Sequence, residues 1–160
     1  MAGIKLRGVS SCVPTKVVTN DDLSKIVDTS DEWITTRTGI KSRRVCEDES
    51  FFELCINSAK SALKRSGVSA DEIGACIVAT FTSDAAIPSS ACLLQRELGL
   101  PEDIPCFDLN AACTGFVYAL HTMECLLSNS SRKFGLVVGA DAVSKAIDWS
   151  DRSTCILFGD

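Results

Sequence analysis

Long apolar runs, paired-cysteine spacings and nucleotide-binding glycine loops are all missing from this 160-residue chain. No stretch reaches the roughly 18–20 consecutive apolar residues of a membrane-spanning helix, so no such helix is expected. None of the nine cysteines stands in a C-x-x-C pair, which argues against a zinc ribbon or a thioredoxin-type redox centre. There is no G-x-G-x-x-G or Walker-type loop, and a dinucleotide or nucleoside-triphosphate site has no support. A basic excess is missing too: 16 Lys and Arg face 21 Asp and Glu, a net charge of −5. That balance disfavours a nucleic-acid scaffold, with Lys41-Ser42-Arg43-Arg44 as a local candidate for a basic patch. The start of the chain shows neither a signal peptide nor an Arg/Ser-rich transit segment. Histidine occurs once, at His121.

What is present is ordinary globular material: 46% hydrophobic and 23% charged residues. A chain of this length buries about two-thirds of its unfolded surface, enough for one domain with a core. An odd number of scattered thiols fits a reducing compartment, and a cytoplasmic location is expected.

Ile4–Ser10 reads as a strand. Thr19-Asn20-Asp21-Asp22 caps a short helix through Val27, and Thr29-Ser30-Asp31-Glu32 caps another, Trp33 to Thr38, closed by Gly39. Helical spacing over Phe51–Ser66 ends at Gly67. Cys76–Thr80 reads as a buried strand, Pro88–Leu98 as a helix stopped by Gly99, and Pro105–Leu109 as a strand. A helix from Gly115 to about Ser128, a strand from Gly135 to Ala140 and a strand-like run from Thr154 to Phe158 complete the order β-α-β-α-β-α-β-β. Alternation of this kind predicts an α/β sheet covered by helices on both faces. The chain stops just after that last apolar run, and the expectation is a cut chain rather than a finished domain.

Cys113 is the residue that suggests chemistry. It follows Asp108-Leu109-Asn110-Ala111-Ala112 and precedes Thr114-Gly115-Phe116, where a strand turns into a helix. Amides at a helix start lack internal partners and favour an anion, as a nucleophilic thiolate requires. The opposing reading is an inert small hydrophobe, the usual fate of a free cysteine, and the residues alone leave both open. His121 lies eight residues further on, roughly 12 Å along a helix at 1.5 Å per residue. That is far beyond the roughly 3 Å reach of a base, so a packing role is expected for it. Asp141 and Asp160 are expected to cap or shape turns.

Several ordered segments resemble the β-ketoacyl-acyl-carrier-protein synthase III family of thiolase-fold condensing enzymes. Asp28-Thr29-Ser30-Asp31-Glu32-Trp33-Ile34-Thr35-Thr36-Arg37-Thr38-Gly39-Ile40 is similar to its N-terminal signature. Ala111-Ala112-Cys113-Thr114-Gly115-Phe116 resembles its nucleophile turn. Val137-Val138-Gly139-Ala140-Asp141, and Asp148-Trp149-Ser150-Asp151-Arg152 through Phe158-Gly159-Asp160, resemble later landmarks.

The resemblance implies a thiolase-like α/β fold, with residues 1–160 forming one half of a five-layer α-β-α-β-α architecture. It implies initiation of fatty-acid synthesis. An acyl-CoA primer, acetyl-CoA in the first instance, would acylate Cys113, and decarboxylative condensation with malonyl-acyl-carrier protein would follow. A catalytic His and Asn belong to the family's second half, so this chain alone is expected to be inactive. Coenzyme A enters as the substrate thioester, and no resident cofactor or metal is implied. Trp33, Arg37 and Arg152 would bind coenzyme A, with Thr29 adding a polar contact. Trp offers a flat face to adenine, and Arg stacks or pairs with phosphate. Taken singly, Trp33 would be an amphipathic core residue and the two arginines solvated charges. Ile87 falls where the family shapes the acyl pocket across a homodimer interface; its modest size would admit a larger or branched primer, and ordinary packing before Pro88 is the alternative. Neither nucleic acid nor membrane is an expected partner. A related thiolase-fold acyltransferase with another acyl-CoA or acceptor, and a non-catalytic half-domain, are the competing functions.

Overall fold

The computed structural model describes residues 3–160. Two compact units are present, one of residues 3–12 and 51–141, the other of Val13–Ser50 with Ala142–Asp160.

The larger unit is built on three parallel strands, β3 (Ile73–Ala79), β4 (Cys106–Leu109) and β5 (Phe134–Gly139), in the order β4-β3-β5. Parallel neighbours need crossovers, supplied by α4 (Ser90–Leu98) between β3 and β4 and α5 (Gly115–Ser128) between β4 and β5. The helix α3 (Phe51–Ser66) precedes β3. All seven residues of β3 are buried, the continuous apolar run of a strand covered on both faces. Ala75, Ile77 and Ala79 meet Ala119 and Met123 of α5 on one of those faces. Gly135 lies against this cluster, where an added Cβ would press into the Met123 side chain. α5 is largely apolar, yet Phe116, Val117 and Tyr118 at its start are exposed.

The smaller unit pairs β1 (Lys16–Thr19) antiparallel with β2 (Ser42–Val45) and adds the short helices α1 (Asn20–Leu23), α2 (Asp31–Thr38) and α6 (Arg152–Cys155). Its core joins Leu23, Ile34, Cys155 and Ile156, with Trp33, Ile147 and Trp149 packed around them. The caps are local: Thr19 and Asp22 form a capping box, Ser30 accepts from the Trp33 amide, and Gly39 closes α2 in the left-handed conformation.

The α/β class holds, but the expected order β-α-β-α-β-α-β-β fails at both ends. Ile4–Ser10 is not a strand, and Ile4, Leu6 and Val9 are exposed. A strand needs a neighbouring backbone, whereas this segment lies along α3, where Arg65 Nη1 donates to Val9 O at 3.1 Å. The approach is so close that a Cβ on Gly8 would sit 2.7 Å from Ala62 O. Thr154–Phe158 is not a strand either. Asp151 accepts from Ser153 N at 2.9 Å and from Thr154 Oγ1 at 2.9 Å, which starts α6 and turns the apolar run into a helical one. The β1–β2 pair was not anticipated, although Lys16-Val17-Val18-Thr19 carries a β-branched signal. Lys41-Ser42-Arg43-Arg44 is no free basic patch: Arg43 is 6% exposed, and Lys41 pairs with Asp31 at 3.1 Å.

Candidate active site

In an open parallel sheet, ligand sites form beyond the carboxyl ends of the strands, where the strand order reverses. Here the chain runs from β3 to β4 on one side and then back across to β5 on the other. A pocket of about 300 Å³ lies at that end. Ala79 at the end of β3, Ala112, Cys113 and Phe116 beyond β4, and Gly139, Ala140 and Asp141 at the exit of β5 line it. The floor continues the ladder, with Ala140 N donating to Ala79 O at 3.1 Å. Small side chains leave room above it, and Gly139 lets the Phe116 ring approach: a Cβ there would be 3.0 Å from Phe116 Cδ2.

Cys113 sits in a single 3-10 turn, Ala112–Thr114, that leads into α5, and it is exposed. Ala112, immediately before it, has φ +44°, the left-handed region that a residue with a Cβ rarely adopts. Such a residue costs about 1–3 kcal/mol and persists only where its surroundings over-determine it, typically at functional turns. The cysteine that sequence position singled out is therefore presented to solvent at the mouth of a pocket. Cys55 and Cys76 are buried on α3 and β3, and burial pushes the Cys55 thiol up to about 12. His121 is exposed on α5 and does not line the pocket, so the packing role expected for it is not formed.

The aromatic platform of the smaller unit is built on α2. Trp33 is half-buried against the local core. The guanidinium carbon of Arg37, one turn along, lies 4.3 Å from the Trp33 ring centroid, and that of Arg152 from α6 lies 4.6 Å from it. Both are cation–π contacts. Arg152 Nη1 also donates to Asp28 O at 2.9 Å. Thr29 Oγ1 is buried with no hydrogen-bond partner among the described residues. The structure thus brings Trp33, Arg37 and Arg152 together. Ile87 stands apart from the Cys113 pocket lining, in the connection between β3 and α4, and is 88% exposed.

Sequence reasoning missed Gly139, Phe116 and Asp141 as pocket residues. The available signal was a glycine at the end of an apolar strand, which often marks close approach by another group.

These features define the chain's class: a thiolase-like α/β fold with a thiol exposed at the sheet's carboxyl edge. The family model for 3-oxoacyl-[acyl-carrier-protein (ACP)] synthase III matches residues 107–160. A β-ketoacyl-[acyl-carrier-protein] synthase III of Clostridium botulinum is 48% identical over 160 residues, all of this chain and 49% of the relative. The crystal structure of 3-oxoacyl-[acyl-carrier-protein] synthase III from Aquifex aeolicus superposes with a TM-score of 0.91 at 47% identity, covering 99% of this chain and 51% of that one. The enzyme of the same name from Thermus thermophilus gives 0.90 at 44% identity, covering 99% and 49%. The chain is similar to β-ketoacyl-[acyl-carrier-protein] synthase III enzymes along its whole length, and it spans about half the length of the curated relatives it matches.

Proposed function

We propose that this chain is the nucleophile-bearing half of a condensing acyltransferase that initiates fatty-acid synthesis. The observation that carries the reading is the exposed Cys113 thiol in a small-walled pocket at the carboxyl ends of three parallel strands. The Cys113 thiolate would attack the carbonyl carbon of an acyl-CoA, acetyl-CoA being the first candidate. A carbon–sulfur bond forms, the bond to coenzyme A breaks, and the coenzyme leaves as a thiol after taking up a proton. Covalent capture splits one hard acyl transfer into two easier steps. The Cys113 amide, at the start of the turn into α5, is proposed as one donor to the developing oxyanion.

In the second step malonyl-acyl-carrier protein would lose carbon dioxide. The electron pair left on carbon would attack the acyl-Cys, releasing the Cys113 thiolate and the β-ketoacyl product. A base is needed, and no imidazole lines the pocket. We assign the base and a second oxyanion donor to chain outside these 160 residues, and expect this chain alone not to complete the condensation. The exposed Phe116, Val117 and Tyr118 of α5 are a fitting surface for that second half.

Trp33, Arg37 and Arg152 are proposed to hold coenzyme A. The ring would stack adenine, and the guanidinium groups would stack or pair with phosphate. The unpartnered Thr29 hydroxyl would add a hydrogen bond. The exposed Ile87 is proposed to meet a second copy of the chain and to bound its acyl pocket. The compartment proposed is the cytoplasm; among the described residues no helix is long and apolar enough to cross a membrane.

Intact mass after incubation with acetyl-CoA tests the reading. A gain of one acetyl group that disappears in Cys113→Ala supports it. Absence of acetylation on folded protein, or acetylation that survives in Cys113→Ala, refutes it.

A further inference from the structure

Phe116 is the one bulky side chain in the lining of the Cys113 pocket; every other lining residue is alanine, glycine, cysteine or aspartate. The small ones are fixed in place. Ala79 and Ala140 belong to the strand ladder, with Ala140 N donating to Ala79 O at 3.1 Å, and Ala112 and Cys113 form the 3-10 turn. Asp141 is pinned as well, in the turn-shaping role expected of it. Its Oδ1 accepts from Thr80 Oγ1 at 3.0 Å, Phe81 N at 2.9 Å and Thr82 Oγ1 at 3.1 Å. Phe116 differs. Its backbone is anchored, because Gly115 brings the start of α5 so near β3 that a Cβ there would lie 3.4 Å from Ala79 Cβ. Its ring carries no hydrogen-bonding group, and the residue is 44% exposed, so the ring has space to shift into. Rotation of that side chain between rotamers is the freedom left to the lining.

Gly139, also in the lining, is where the ring rests. It pairs with Ala79 in the parallel ladder and is not among the glycines with positive φ, so its backbone suits any residue. The glycine answers to space instead: a Cβ there would lie 3.0 Å from Phe116 Cδ2, 3.5 Å from its Cβ and 3.6 Å from its Cγ. A methyl group at this position would push the ring off β5. We propose that Phe116 determines how long an acyl chain Cys113 can carry, and that Gly139 is a positioning residue that lets the ring lie back against β5. The proposal rests on the reading of Cys113 as the acylated residue and adds the group that bounds its chain.

The test uses the full chain and N-alkyl iodoacetamides from methyl to hexyl. The Cys113 sulfur displaces iodide, intact mass follows the adduct, and Cys113→Ala gives the background from the other thiols. The quantity read is the hexyl-to-methyl rate ratio, from which any change in the thiol's own reactivity divides out. Phe116→Ala should raise the ratio about tenfold, the lower end of what a methylene is worth in an apolar pocket. Gly139→Ala should lower it, and should lower it less in the Phe116→Ala background, because the methyl acts through the ring. Should Phe116→Ala fail to fold, Phe116→Leu keeps an apolar side chain in place and should raise the ratio by less. An unchanged ratio in a folded Phe116 variant, or a Gly139→Ala effect of equal size with and without the ring, overturns the proposal. Alkylation requires no coenzyme A. A shifted ratio beside failed acetyl transfer would refute the acyl donor and leave the Phe116 boundary standing, whereas acetylation of Cys113 with an unchanged ratio would overturn the boundary alone.

Discussion

Arg43 donates through Nη2 to Asn20 Oδ1 at 2.9 Å, and the pair forms the polar centre of the smaller unit. The guanidinium also reaches Val18 O at 3.2 Å and Ile156 O at 3.1 Å, so its acceptors are all neutral. Burial pulls the Arg43 pKa down from its ordinary value. Asn20 passes the tie onward, donating to Asp31 Oδ1 and Ile40 O, both at 2.8 Å, and with Lys41 it holds the Asp31 carboxylate below its usual range. β1, β2, α1, α2 and α6 are thereby joined through two side chains. Arg43→Met removes the donors and leaves buried acceptors unpaired, each costing about 1–3 kcal/mol. A loss of about 3 kcal/mol is expected, read as a lower denaturant midpoint at unchanged slope.

Ala112 stores strain beside the thiol. A β-branched residue tolerates positive φ less well than alanine, so Ala112→Val should destabilise the chain by at least about 1 kcal/mol. It should also slow Cys113 alkylation by iodoacetamide, because relief of the strain tilts the turn away from solvent. Thermal melting and intact mass measure the two effects separately.

Thiol labelling should separate the cysteines by burial and charge. Burial and the neighbouring Asp160 carboxylate push Cys46 up to about 11, and burial with Asp108, Asp141 and Asp84 pushes Cys55 to about 12. A thiol at 11 is ionised to roughly one part in a thousand at pH 8, and the thiolate is the nucleophile. At pH 8 iodoacetamide should modify the exposed Cys113 and Cys125 while Cys46 and Cys55 stay free, as peptide mapping would show.

The same shifts bear on alkaline stability. The unfolded chain releases these protons near 9.0, whereas the fold retains them to about 11 and about 12. Proton binding therefore favours the fold, fully below pH 9, and the benefit is lost as pH climbs from 9 towards 12. Cys46→Ala should flatten the lower part of that decline, between about pH 9 and about pH 11, in a pH series of denaturant midpoints.

At the acid end the sign is reversed. Glu49 accepts from Thr15 Oγ1 at 2.6 Å and from Thr15 N at 2.8 Å, which holds its carboxyl at about 2 against an ordinary 4.5. The contribution is complete above pH 4.5 and disappears as pH falls towards 2. Glu49→Gln should lower stability in the neutral region, where the contribution is complete, and make the acid limb of the stability curve shallower.

Much of the local structure was legible in the sequence because its signals lie within one turn. The apolar spacing of Phe51–Ser66 and Gly115–Ser128 coincides with α3 and α5, and Gly39, Gly67 and Gly99 take the positive φ expected of helix stops. The strand-to-helix placement of Cys113 followed from the same kind of reading. At Thr154–Phe158 a local signal was misjudged, because the capping power of Asp151 outweighed four apolar residues.

Sequence alone thus determined the longer helices, their caps and the strand-to-helix placement of Cys113, since these depend on residues a few positions apart. Tertiary structure decided the rest. Whether Ile4–Ser10 finds a strand partner depends on backbone far along the chain. The same holds for the burial of Arg43, which depends on Asn20 and Ile156, 23 and 113 positions away. Asp141 joins a loop 59 to 61 residues earlier only because the crossover through α5 carries the chain past β3 and lays β5 along its other side. No local pattern encodes such pairings, because a hydrogen bond between distant residues is specified by the packing that brings them together.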